Sequence, residues 1–202
     1  MSRTKHNHRT DDYWDARLEG YVHMVQPGGF AIASYPDQIL GTLLGSCVSA
    51  CICDPFSGIG GLNHFLLPSR NEASSDNDHD AARYGVHAME MLINELQKLG
   101  AKRSRLQAKL FGGAHIVDIS SSDSVGARNQ KFATEFLSRE GIAITATNLG
   151  GNHARRIFFR PTLDKVLVMI PERSVVQKVK AAESQLRRRL PDRSETGRVE
   201  LF

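Results

Sequence analysis

Cysteine is scarce in this chain: there are three in 202 residues, and all fall between positions 47 and 53. Thiols bunched this closely cannot staple distant parts of a fold, so a disulfide framework is excluded and reduced thiols are expected. No run of about 18 apolar residues suggests a membrane span, and the opening MSRTKHNHRTDDYWDARLEG lacks the apolar core of a secretory leader. A cytoplasmic setting without membrane insertion is the simplest expectation. The net charge of +4 is modest, and Arg173 to Leu190 alone holds six basic residues and one acidic one, which leaves the rest of the chain at −1. With no aromatics interleaved among those basic residues, a nucleic-acid partner is not expected. The glycine pairs Gly112-Gly113 and Gly150-Gly151 fit neither phosphate-loop pattern, which argues against a nucleotide.

Hydrophobic patterning organises what is present. Residues 1–20 are polar and unpatterned and read as a flexible N-terminal arm; residues 21–171 read as one domain; 172–190 as a basic C-terminal helix; 191–202 as a polar tail. Strand character is expected at Gly29 to Ser34, Gln38 to Leu44, Cys47 to Cys53, Ile59 to Leu67, around Leu106 to Leu110, and at Ile142 to Thr147, Arg156 to Arg160 and Lys165 to Ile170. Helices are expected from Asp80 to Leu99, from Gly126 to Arg139 and from Ser174 to Leu190, the last with Val175, Val179, Ala182 and Leu186 on one face. Strands in runs with interspersed helices favour an α+β domain of layered, mixed β-sheets flanked by helices.

The chemistry concentrates in GTLLGSCVSACICDPFSGIGGLNHFLLP, residues 41–68. Asp54 to Ser57 carries turn chemistry between two strand-like runs, a hairpin signature. With those four residues as the loop, Cys53 faces Gly58, Cys51 faces Gly60 and Cys47 faces His64. A thiol opposite an imidazole is an activated nucleophile. Gly45-Ser46 permits a turn whose N–H groups converge on one point, as an oxyanion requires. The competing reading is a metal site of Cys47, Cys51, Cys53 and His64, but structural zinc favours knuckles on turns rather than a strand, and no metal or cofactor is expected.

These residues also carry a resemblance. LLGSCVSACICDP, GIGGLNHFLLP, ARYGVHAMEMLINELQKLGA, AKLFGGA, VGARN and NLGGNHARRIFF occur in an order and spacing that resemble the CheD family of chemoreceptor glutamine deamidases. The resemblance implies a fold similar to the cysteine-hydrolase fold of deamidating toxins, with Cys47 as nucleophile and His64 as base. The family's third residue is a threonine six positions before the cysteine; here Gly41 stands there and Thr42 follows. Either a bulge turns Thr42 inward, with Gly41 providing the backbone freedom, or another polar group such as a main-chain carbonyl holds the imidazole. The implied activity is hydrolysis of receptor glutamine side chains to glutamate, without a cofactor, tuning adaptation. The implied partners are methyl-accepting chemotaxis receptors and a CheC-type phosphatase. The alternative function is a non-catalytic module that regulates by binding receptors or CheC.

Overall fold

The computed structural model describes residues 10–67, 77–115 and 124–172, together with single helical positions at 177, 181, 184 and 185. Among the described residues, ten strands and two α-helices follow one another as β1 (Tyr13–Asp15), β2 (Gly20–Met24), β3 (Phe30–Ala33), β4 (Gln38–Leu44), β5 (Val48–Asp54), β6 (Ile59–Asn63), α1 (Asn77–Lys98), β7 (Gln107–Gly112), α2 (Val125–Arg139), β8 (Ala143–Leu149), β9 (Arg155–Arg160) and β10 (Lys165–Met169). The architecture is α+β, as expected. The polar tail, the loop residues before Ser124 and, apart from those four helical positions, the expected basic helix from Ser174 to Leu190 lie outside the described residues.

Two five-stranded sheets form, in the orders β1-β2-β4-β9-β10 and β3-β6-β5-β7-β8. Each is mixed, because β2 runs parallel to β4 and β7 parallel to β8 while the other pairs are antiparallel. Strand β5 is central to the second sheet and buried at every position, and its alternation divides it between two cores. Val48, Ala50 and Ile52 join the cluster that α1 and α2 cover through Met89, Leu92, Leu96, Phe132 and Phe136. Cys51 and Cys53 point the other way, into a layer shared with Leu40, Leu44, Ile157 and Phe159 of the first sheet, and Cys47 joins the same layer. Three layers result: helices, sheet, sheet.

Helix α1 begins at Asn77 rather than Asp80. The glycines expected to stop the helices do so from left-handed backbone, φ 104° at Gly100 and 67° at Gly141. Strand β1 lies inside the stretch expected to be an unpatterned arm. Trp14 stacks edge-on against Tyr21, centroids 5.1 Å apart, and Asp12 lies 2.9 Å from the His23 imidazole. Three residues on a sheet edge are too few to show a period.

The hairpin register differs from expectation. Asp54 stays in strand β5 opposite Ile59, Cys53 pairs with Gly60 and Cys51 with Leu62, so the loop is Pro55 to Gly58. Two causes act together. Gly58 closes the loop at φ 70°, with its N–H bonded to the Asp54 carbonyl at 3.0 Å, while Arg105 and the Lys102 N–H hold the Asp54 carboxylate from outside the hairpin. The same count carries to the isolated Val48–Phe65 bridge, which puts Leu66 rather than His64 across from Cys47. A shift of two keeps every side chain on its original face. Cys47 and His64 thus keep to one face, on a diagonal of the register.

Candidate active site

Between β4 and β5 the chain leaves one sheet for the other through Gly45, Ser46 and Cys47. The carbonyls of this crossing are held from outside any ladder. Gly45 O accepts from the Ala114 N–H at 2.7 Å, Ser46 O from Asn129 Nδ2 at 2.8 Å and Cys47 O from the Gly113 N–H at 2.7 Å. A glycine at 112 is obligatory for this seat, because a Cβ there would stand 2.2 Å from the Cys47 oxygen and the backbone adopts φ 108°. Peptide planarity then turns the N–H groups of Ser46 and Cys47 away from β7 and α2. The buried Arg155 steadies the support, donating from Nη1 to Gly112 O at 2.7 Å and from Nη2 to Gly150 O at 2.5 Å.

His64 follows β6. Its N–H donates to Gly29 O at 2.9 Å and its carbonyl accepts from the Gly28 N–H at 2.7 Å. Its Nδ1 lies 2.8 Å from Thr42 Oγ1, which in turn lies 2.8 Å from the Val25 carbonyl oxygen. One proton count assigns the tautomer. A carbonyl can only accept, so the hydroxyl spends its single proton on Val25 and must accept from His64 Nδ1–H. Nε2 therefore carries the lone pair. Val25 is itself fixed by its N–H to Gly41 O at 2.7 Å.

Thr42 reaches the imidazole without a bulge. Strand β4 pairs in unbroken register with β2 and β9, and simple alternation puts Leu40, Thr42 and Leu44 in the layer between the sheets. Gly41 faces the other way, where a Cβ would come within 2.7 Å of Met24 Sδ and 3.2 Å of the Phe158 ring. Cys47 and Thr42 are 0 % exposed and His64 is 1 % exposed.

Exposure does not separate Cys47 from the other cysteines, since Cys51 and Cys53 are each 1 % exposed. Chemistry does. Burial pushes both of those thiols far above the usual cysteine range, and Cys53 also donates to Asp164 Oδ1 at 3.1 Å, which holds it in the thiol form. Two residues near the site had drawn no attention in the sequence. Half-buried Tyr84 on α1 has its phenol shifted up, first by burial and then by the nearby Cys47. Asn129 is the other, a polar residue in the buried stripe formed by Gly126, Phe132, Ala133 and Phe136. That interruption of an apolar face was its signal. The set of possible ligands that converges among the described residues is Asp11, Asp12 and His23, and it includes none of Cys47, Cys51, Cys53 and His64.

Fold and site define a class: a three-layer α+β protein with a buried thiol and a hydroxyl-held imidazole between its sheets. Comparison with known proteins narrows it. A family model described as CheD chemotactic sensory transduction matches residues 66–170. A relative from Xanthomonas campestris pv. campestris (strain B100) is 43 % identical over 190 residues, 94 % of this chain and 93 % of its own. One from Rhizobium leguminosarum bv. trifolii (strain WSM2304) is 51 % identical over 140 residues, covering 69 % of this chain and 74 % of that protein. One from Ralstonia pickettii (strain 12J) is 46 % identical over 159 residues, 79 % of this chain and 66 % of that protein. All three bear the name "Probable chemoreceptor glutamine deamidase CheD". The chain belongs to the CheD family. Among solved structures, a Neisseria meningitidis protein of family DUF152 is similar at a TM-score of 0.39 and 12 % identity over 65 % of this chain and 62 % of that one, too distant to carry a functional argument.

Proposed function

We propose that this protein is an amidohydrolase that converts glutamine side chains of methyl-accepting chemotaxis receptors to glutamate, with Cys47 as nucleophile, His64 as base and Thr42 as the group that orients the imidazole. The observation that carries this reading is the Val25–Thr42–His64 relay, which leaves the Nε2 lone pair for a proton acceptor's role. His64 takes the thiol proton, and the sulfur attacks the carboxamide carbon as the carbonyl π pair moves to oxygen. The Ser46 and Cys47 N–H groups receive that oxyanion, each donor worth about 3 kcal/mol in comparable sites. The tetrahedral centre collapses with cleavage of the C–N bond, and His64 returns its proton to the leaving ammonia. Water, deprotonated by the same nitrogen, then opens the thioester and regenerates the thiol. The sum is glutamine plus water to glutamate plus ammonium, with no cofactor.

The buried site favours a side chain that projects, as glutamine does from a helix, over a main-chain amide. The product carboxylate adds a negative charge to the receptor and offers a site for methyl esterification, which is how the reaction would tune adaptation. The reading places the protein inside the cell, on residues 21–171 as the deamidase unit, with a CheC-type phosphatase as second partner. Its test is mass spectrometry of a purified receptor cytoplasmic domain incubated with wild type and with Cys47→Ala. A gain of about 1 Da at a glutamine, the mass difference of amide and acid, is expected with wild type alone. No gain with either protein, alongside retained receptor binding, would replace the enzyme by a binding module.

A further inference from the structure

We propose that Asn129 is a positioning residue for this thiol chemistry: it locks the turn that carries Cys47 to the segment that carries His64 and aims the Cys47 N–H at the developing oxyanion. The inference rests on the deamidase reading for its activity arm only.

Asn129 is 0 % exposed and spends both ends of its amide. Nδ2 donates to Ser46 O at 2.8 Å, and Oδ1 accepts from the Leu67 N–H at 2.9 Å. Neither target belongs to a regular ladder. Ser46 lies in the crossing between the sheets, and Leu67 lies beyond the Val48–Phe65 bridge. The planar primary amide holds its donor and acceptor at a fixed separation, so the two backbone segments are held at a fixed offset. Two further donors to the turn, the Gly113 and Ala114 N–H groups, reach Cys47 O and Gly45 O, one on each side of Ser46.

The bond to Ser46 O has a second effect. That oxygen and the Cys47 N–H belong to one peptide group, so fixing the oxygen fixes the direction of the N–H. Donation to the oxygen also polarises the amide and strengthens the N–H as a donor. Helix α2 delivers the side chain reproducibly, because Ser124 caps it by accepting the Ala127 N–H at 3.2 Å and the buried stripe packs it on β5 and β7.

The test compares Asn129→Ala, Asn129→Asp and, as a control for lost packing in the same helix, Phe136→Leu. Two readouts are taken: the rate of iodoacetamide alkylation of Cys47, which needs no substrate, and kcat and KM for deamidation. Asn129→Ala is expected to slow alkylation about tenfold and kcat about 10- to 100-fold with KM within about twofold, the pattern of a lost transition-state contact. Asn129→Asp retains the Leu67 contact and, while protonated, the donor to Ser46 O. Its kcat relative to wild type should therefore fall by about tenfold as pH rises from about 5 to 9 and the carboxyl ionises. Phe136→Leu should lower the melting temperature without changing either rate per folded molecule. Should Asn129→Ala fail to fold, the pH profile of Asn129→Asp decides. A flat ratio across that range, alkylation of the alanine variant within twofold of wild type, or equal losses in Phe136→Leu would each overturn the proposal. If wild type deamidates nothing, the functional reading fails and the alkylation arm still tests Asn129.

Discussion

At the Asp54 end of β5 a buried carboxylate accepts from Arg105 Nε at 2.9 Å, from Arg105 Nη2 at 2.5 Å and from the N–H groups of Phe56 and Lys102 at 3.0 Å. Its neighbour Cys53 is bound to Asp164, which Lys109 pairs in turn. At the Cys47 end, seven residues away, neutral groups hold the carbonyls of the turn: two peptide N–H groups and one carboxamide. The first end uses charge to fix a hairpin; the second, on the proposed reading, seats a thiol beside an imidazole. On that reading the cysteines differ in use because of what secures each end, not because of burial.

The comparison breaks most sharply at the thiol itself. Cys47→Ala should lower kcat by about 10³-fold or more while the melting temperature stays near wild type, as measured by ammonia release and calorimetry. In wild type, iodoacetamide should modify Cys47 well before Cys51 or Cys53, because the proposed base serves Cys47 alone and Cys53 is held as a thiol by Asp164. Faster labelling of either would remove the contrast.

Thr42→Ala comes next, with kcat expected to fall about 10- to 100-fold at nearly constant KM, because the ring loses the acceptor that sets its tautomer. Matched thermal melts would show whether folding accounts for any of it.

Asp54→Asn should act on the other end alone, costing roughly 2 kcal/mol of stability by weakening a buried charge-assisted pair, with kcat unchanged. The Arg105 hydrogen bonds hold the Asp54 carboxyl well below the usual carboxylate range. A carboxyl depressed by folding contributes stability above its unfolded value, about pH 4, and loses that contribution as pH falls through the folded value. The acid limb of a melting-temperature profile should therefore flatten in Asp54→Asn. An equal slope in both proteins would show that the pair does not couple to folding.

The smallest effect is expected from Gly41→Ala. The new methyl meets a flexible methionine and the Phe158 ring on the outer side of the first sheet, for a cost of about 1 kcal/mol and no loss of turnover. Raised activity on introducing threonine there would contradict the inward placement of Thr42.

Most of the elements were legible, because β4, β6, α1, α2 and β9 carry periods long enough to read. Their partners were not. Nothing local says that β3 pairs with β6 while β4 joins the other sheet, since that choice depends on contacts far along the chain. The hairpin register failed for the same reason. Asp54 suits the start of a turn, and it stays in the strand because Arg105, 51 residues later, binds it there. Thr42 was legible from alternation with Leu40 and Leu44, and obscured by counting back from Cys47 to Gly41. Asn129 was visible as a polar interruption of an apolar stripe, but its targets were not, as they are main-chain atoms without a residue signature.

The distribution of the site along the chain also imposes an order of assembly. Thr42, Cys47 and His64 all emerge within the first third of the sequence, yet the groups that seat the cysteine's turn belong to Gly113, Ala114 and Asn129. A nascent chain that has reached residue 100 holds every reactive atom and none of the donors to those carbonyls. On the proposed reading, the turn that would make this thiol a nucleophile is seated only when β7 and α2 close over the crossing.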